Sequence, residues 1–233
     1  MSQESVRFIR RIATINLNAI SCHVKQHLLK EFIYNNDLDI IFIQEVTFEN
    51  FSFLPTHTGL INISEDGKGT GIILRNGIEF CDVVMNPNGR IISAVIDGLN
   101  YVNVYAHSGS KFKRERDLLF TDKILAHLAE FRENIILGDF NCILERNDSN
   151  GLVKNICNGL KKLVSELDLK DVELTKNSKT KFIFCRGESK SRIDRVYGSE
   201  KFIKFTESIE TIAVPFSDHH SVILKLKVED KIV

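Results

Sequence analysis

"LDIIFIQEV", residues 38–46, decides the fold. Its apolar run is continuous instead of alternating, the pattern of a strand buried on both faces. The preceding residues give it a context. "RIATINLNAI" (11–20) alternates as a half-buried strand does. From Cys22 to Tyr34 the period lengthens to that of a helix, with Val24, Leu28, Leu29, Phe32 and Ile33 on one face. Strand, helix and buried strand make one unit.

The same unit returns downstream. "LNYVNVYA" (99–106) reads as a strand and "RERDLLFTDKILAHLAEF" (114–131) as an amphipathic helix carrying Leu118, Phe120, Ile124, Leu125 and Leu128. "NIILGDF" (134–140) is a second buried strand. Between the units lie hairpin-like strands around 60–63, 71–75, 78–85 and 90–97, punctuated by Gly69, Gly71, Gly77 and Gly89. A helix over 152–167 and strands near 181–185, 192–197 and 220–228 complete the chain. Strands in two groups with few helices predict an α/β sandwich: two packed mixed sheets flanked by helices.

The 233 residues, 43% of them hydrophobic, suffice for a sizeable core. With three prolines and no Pro/Gly/Ser-rich linker, a single domain over 1–233 is expected. Five cysteines stand singly, without a C-x-x-C pair, which argues against a disulfide framework or a zinc knuckle and for a reducing, intracellular setting. No apolar run approaches the roughly 20 residues a membrane helix needs. "MSQESVRFIRR" lacks the apolar centre of a signal peptide. Net charge is zero, so a nucleic-acid partner would need local basic patches. "KFKRER" (111–116) offers Lys111, Lys113, Arg114 and Arg116 against Glu115. The stretch 176–195 offers Lys176, Lys179, Lys181, Arg186, Lys190, Arg192 and Arg195 against two acids. Solvated surface charge is the competing reading.

Polar residues collect where the strands end. Asn16 and Asn18 close the first, Glu45 follows "IIFIQ", Tyr105 and His107 end another, and Asp139 and Asn141 follow "NIILG". Asp194 interrupts "SRIDRVY", and Asp218 and His219 precede the last strand. Ligands favour such a rim in mixed sheets. The carboxylates of Glu45, Asp139 and Asp218, with nearby amides, suit a hard cation such as magnesium, with manganese as a substitute. They do not suit zinc. His23, His27, His57 and His127 read as surface residues. Magnesium beside a histidine and several acids points to phosphate-ester hydrolysis. Asp194 would orient His219, or else pair with Arg192 or Arg195.

"TINLN", "IQEV", "NVYAHSGS", "ILGDFN", "SRIDRVY" and "SDHHSV", in this order, resemble the endonuclease/exonuclease/phosphatase family, from about residue 12 to 228. The resemblance implies a DNase-I-like, exonuclease-III-like fold. "YAHSGSKFKRERDLLF" and "SRIDRVYGS" look most like the endonuclease domain of non-LTR (LINE-type) retrotransposons. That likeness implies the N-terminal domain of a longer polyprotein, with a reverse transcriptase in cis and double-stranded DNA as target, at work in the nucleus. It implies that Asn16 braces the catalytic aspartate and that Glu45 binds metal. Tyr105 would lie near the scissile phosphate, while Asp139 and Asn141 align water and contact phosphate. Asp194 would orient the catalytic His219, with Asp218 a metal-side acid and Ser191 a phosphate-side contact. Asn18 stands where DNA-repair members have a metal-side aspartate, and His107 where proline is common.

The stretch 180–194 reads as a hairpin with a basic tip, whose Arg186, Lys190 and Arg192 would meet phosphates. His220, one residue past His219 on a strand, should face away from the site. Three functions stand at this point. The leading one is a metal-dependent endonuclease nicking one strand to leave a 3′-hydroxyl primer. The second is an abasic-site or 3′-end repair nuclease, or an inositol-phosphate phosphatase. The third is a non-catalytic DNA-binding module.

Overall fold

The computed structural model describes residues 7–20, 22–128, 131, 133–151, 156–177 and 181–229. Residues 152–155 of the expected 152–167 helix, residues 129 and 130 of the 114–131 helix, Lys179 and the His127 side chain fall outside them. The chain opens with β1 (Arg7–Asn16), α1 (His23–Asn35) and β2 (Ile40–Val46). β1 and β2 pair in parallel, as a strand–helix–strand crossover requires. Then come β3 (His57–Ile63), β4 (Gly69–Arg75), β5 (Phe80–Met85) and β6 (Ile91–Ile96). The second unit is β7 (Leu99–Tyr105), a helical segment, and β8 (Asn134–Asp139), again with parallel strands.

That segment is interrupted. α2 (Lys113–Leu118) and α3 (Leu125–Leu128) are joined by a π-helical stretch over Leu119–Ile124. The wider turns shift the helical face. Phe120, Ile124 and Leu128 stay buried, but Leu118, expected inside, is 44% exposed. Val24 is likewise exposed, because α1 buries the face carrying Leu29, Phe32 and Ile33. The remaining elements are α4 (Asn158–Glu166), β9 (Lys170–Asp171), α5 (Val172–Lys176), β10 (Phe184–Arg186), β11 (Ser189–Ser191), β12 (Asp194–Gly198), α6 (Glu200–Phe205), β13 (Thr206–Ile212) and β14 (Ser221–Glu229).

Two six-stranded sheets result, ordered β13-β14-β1-β2-β4-β3 and β5-β6-β7-β8-β12-β9. Ile12, Phe42, Ile72, Ile92, Leu137 and Val222 belong to the apolar layer between them, where the Phe42 and Tyr101 rings stack at 5.4 Å. α1 covers the outer face of the first sheet with Leu29, Phe32 and Ile33. Phe120, Leu160 and Leu163 cover the outer face of the second. The four layers match the expected architecture.

A polar bridge crosses the inner layer. Gln44 Nε2 donates to Thr14 Oγ1 at 3.0 Å and to Asn103 Oδ1 at 2.7 Å. Asn103 Nδ2 donates to the carbonyls of Ile43 and Gly71. Immediately after Gln44 the β2–β4 register slips, and Glu45 takes a left-handed φ of 53°. This β-bulge re-aims the Glu45 side chain at the sheet rim. His57, expected at the surface, is buried: its Nε2 lies 3.2 Å from the Leu38 carbonyl and its Nδ1 2.9 Å from Thr56 Oγ1.

Candidate active site

The second sheet sets three of the strand-end residues abreast. Parallel register pairs Tyr105 with Asp139, and antiparallel register pairs Asp139 with Asp194. Between Leu137 and Asp139 only glycine fits, since Gly138 has φ 126° and a Cβ there would lie 2.2 Å from the Val104 carbonyl. The first sheet contributes Asn16 and Glu45 from neighbouring strands, and the β13–β14 turn contributes Asp218 and His219.

Glu45, Asp139, Asp218 and His219 line a cleft of about 470 Å³, and Asn16, Tyr105 and Asp194 stand behind them as hydrogen-bond partners. Asn16 Nδ2 donates to Asp139 Oδ2 at 2.9 Å and reaches Glu45 Oε1 at 3.3 Å, so one amide ties the two sheets together. Asn141, at φ 48°, donates its backbone N–H to Asp139 Oδ1 at 2.8 Å and its side-chain amide to Oδ2 at 2.9 Å. The Tyr105 hydroxyl donates to Glu45 Oε1 at 3.0 Å, and the Arg90 guanidinium lies over the Tyr105 ring. His219 Nδ1–H donates to Asp194 Oδ2 at 2.8 Å, with the ring 4.9 Å from that of Phe184. The Ser217 hydroxyl donates to the Asn16 carbonyl and accepts from the His219 N–H, fixing the turn against β1.

Burial and charge set the protonation states. Burial alone would lower the His219 pKa, but Asp194, with Asp139 and Asp218 behind it, raises it to about 10. The ring is therefore an imidazolium at neutral pH, and its free Nε2 is a charged donor. Burial, then the nearby Asp194 charge, raises the Asp139 pKa. Burial also works against the charged form of Glu45, but Lys68, Tyr105 and Asn16 outweigh it and hold its pKa below the usual range.

The expected residues fall into two groups. Asn16, Glu45, Tyr105, Asp139, Asn141, Asp194 and His219 are joined by the hydrogen bonds above. Asn18, Asp218, Ser191 and Arg186 line the same cleft. Lys111, Lys113 and Arg114 are exposed and follow the lining residues Ser108 and Gly109 in sequence, and Lys190 is exposed on the β10–β11 hairpin. Arg116, expected at the surface with them, is buried and donates to the His107 and Gly109 carbonyls. His220 lies outside the cleft lining, half-buried, its N–H bonded to the Ile183 carbonyl.

Arg192 is a correction. Expected to meet phosphate, it is 2% exposed and ion-paired with Asp148, Asp171 and Glu173. Arg195 is buried against Asp148 in the same cluster, so neither arginine is the partner of Asp194. Local charge counting assigned both to the surface because their carboxylates come from segments more than 15 residues away. Two cleft residues carry no local signal at all. Lys68, from the β3–β4 turn, donates to Glu45 Oε2 at 2.6 Å, and Phe184 flanks His219.

The donor chemistry fits a hard cation. Glu45, Asp218 and Asn18 present oxygen donors to one cleft, and Glu45 Oε1 is already oriented by Tyr105 and Asn16. Asp139, Asp194 and His219 also place ligand atoms within 4.8 Å of one another. There, however, Nδ1 is spent on Asp194 and the ring is charged, which suits an acid–imidazolium group better than a ligand set. Among the described residues no helix is long and apolar enough to cross a membrane.

Known proteins resemble this chain in sequence and in fold. A transposon TX1 uncharacterized 149 kDa protein from Xenopus laevis is 32% identical over 139 residues. That match takes in 55% of this chain and 10% of the relative, so the chain spans about a tenth of its length. A 3′-5′ exonuclease from Neisseria meningitidis superposes with a TM-score of 0.79 at 20% identity, over 93% of this chain and 99% of that one. An AP endonuclease from Archaeoglobus fulgidus superposes at 0.75 and 19% identity, over 92% and 98%. At these identities the structures share the fold: two packed mixed sheets flanked by helices. The family profile itself matches residues 13–219, from the strand that carries Asn16 to His219, and the chain belongs to the endonuclease/exonuclease/phosphatase family.

Proposed function

We propose that the chain is a magnesium-dependent DNA endonuclease that nicks one strand of a duplex and leaves a 3′-hydroxyl to prime reverse transcription. The observation that carries the hydrolytic part is the juxtaposition of a His219 imidazolium with Asp139, whose carboxyl is raised in pKa. Asp139 Oδ1 accepts one N–H from Asn141 and keeps a lone pair for water. His219 already carries its proton, so Asp139, with its raised pKa, is the group able to accept one. His219 Nε2 donates to a phosphoryl oxygen and stabilises the charge that develops there, while Asp194 holds the ring. Asn16 and Asn141 fix the Asp139 carboxylate, and Tyr105 fixes Glu45. Magnesium, or manganese in its place, held by Glu45 with Asp218 and Asn18, supplies positive charge to the phosphoryl and leaving oxygens.

The transposon setting is supported by the Xenopus laevis relative. On this reading the chain is the N-terminal domain of a longer polyprotein, acts in the nucleus, and works with a reverse transcriptase in cis. Lys111, Lys113, Arg114, Arg186 and Lys190 contact the DNA backbone.

Supercoiled plasmid incubated with protein and magnesium tests the reading. Open-circle product extendable by a polymerase is expected, and His219→Ala should slow its formation roughly 10²-fold or more. No nicking by a folded preparation would remove the endonuclease assignment and leave a DNA-binding module or a phosphatase. The AP endonuclease and exonuclease likenesses favour a repair nuclease as the second reading. An abasic duplex cut far faster than an intact one would select it.

A further inference from the structure

The Glu45 carboxylate is used unequally. Oε1 accepts from the Tyr105 hydroxyl and from Asn16, and Oε2 accepts from Lys68 Nζ at 2.6 Å. A cation bound to Glu45 must therefore share Oε2 with an ammonium or displace it. The backbone that carries this ammonium is held in place. The Lys68 carbonyl accepts from the Ser64 N–H at 3.1 Å and from the Ser64 hydroxyl at 2.6 Å. A Cβ at Gly89 would lie 2.8 Å from the same oxygen, so the β5–β6 turn abuts it. The side chain is free by contrast: it is 44% exposed and ends on a point charge with four rotatable bonds behind it. It lines the cleft with Asp139 and His219, where a substrate phosphate would lie.

We propose that Lys68 is a positioning residue shared between the two ligands of the cleft. It competes with the divalent cation for Glu45 Oε2, and once the cation takes that oxygen it turns to a phosphate of the nucleic-acid substrate. Metal and DNA thus bind in a linked fashion, each favouring the arrangement the other needs. The inference rests on the reading of Glu45 as a cation ligand.

Calorimetric titration of the whole chain with manganese, without DNA, tests it. Lys68→Met removes the competing charge and should tighten manganese binding roughly three- to tenfold, the worth of a half-exposed ion pair. Lys68→Arg keeps the charge and should bind manganese as the wild type does. In plasmid nicking, Lys68→Met should raise KM several-fold more than it changes kcat. Lys68→Gln, read alongside thermal melts, covers a methionine variant that fails to fold. Unchanged or weaker manganese binding in folded Lys68→Met and Lys68→Gln, beside measurable binding by the wild type, overturns the role of Lys68. A wild type that binds no manganese overturns the reading of Glu45, and the role of Lys68 falls with it.

Discussion

His219 is charged because its neighbours outweigh its burial. Its folded pKa, about 10, lies above the ordinary histidine value. Its pairing with Asp194 is therefore fully stabilising below about pH 6.5 and is lost as pH rises toward 10. Urea unfolding of wild type and His219→Gln should differ by a few kcal/mol at pH 6, and the gap should close by pH 10. A constant gap across that range would mean that folding leaves the His219 pKa at its unfolded value. The polar residues at strand ends could be read from sequence because each closes a short apolar run, as Asp139 closes "NIILG". Lys68 could not, since a turn lysine in "EDGKG" looks like any other solvated charge. The link from Lys68 to Glu45 crosses 23 residues and exists only once β2 and β4 have paired.

Elements were legible where their period was regular, as in α1 and β8, and not where packing imposes a local change. No sequence break marks the π-helical turns between α2 and α3, and Leu118, roughly 160° around a helix from Phe120, faces solvent. β13 was missed because "TESIETI" alternates weakly, with glutamates among its exposed positions. It is a strand because β14 offers it an edge. Arg192 and Arg195 show the same limit for charge. The short loop ending at Asp148 and the β9–α5 junction bring Asp148, Asp171 and Glu173 around them. Removing Asp148 leaves two buried guanidinium groups short of a carboxylate, and Asp148→Asn should cost roughly 3 kcal/mol at pH 7. Burial would raise the Asp148 pKa, but Arg195 and backbone N–H groups outweigh it and bring it below the ordinary value. Its contribution is therefore present above about pH 4 and lost below. Wild-type and variant melting temperatures should converge as pH falls through that value, and parallel curves would count against the ion-pair account.

Across the whole molecule, zero net charge conceals an uneven distribution. Two of the basic side chains expected to steer DNA are neutralised inside the protein. Of the exposed ones, Arg186 lines the cleft, Lys190 lies on the same hairpin, and Lys111, Lys113 and Arg114 follow the lining residues Ser108 and Gly109 in sequence. If they hold the phosphate backbone, Lys113→Ala with Arg114→Ala should weaken DNA binding and flatten its salt dependence by about one to two units of log–log slope. An unchanged slope would take this flank out of the interface.

The first and last strands lie side by side in one sheet, and the Ser217 hydroxyl reaches across 201 residues to the Asn16 carbonyl. The Ser217 hydroxyl, which also accepts the His219 N–H, thus fixes the turn of the histidine against a strand made 201 residues earlier. A chain cut by proteolysis before residue 217 retains Glu45, Asp139 and Asp194 yet lacks Asp218, His219 and the closing strand. The order of the polypeptide therefore acts as a safeguard: the cleft is complete only once β14 has paired with β1.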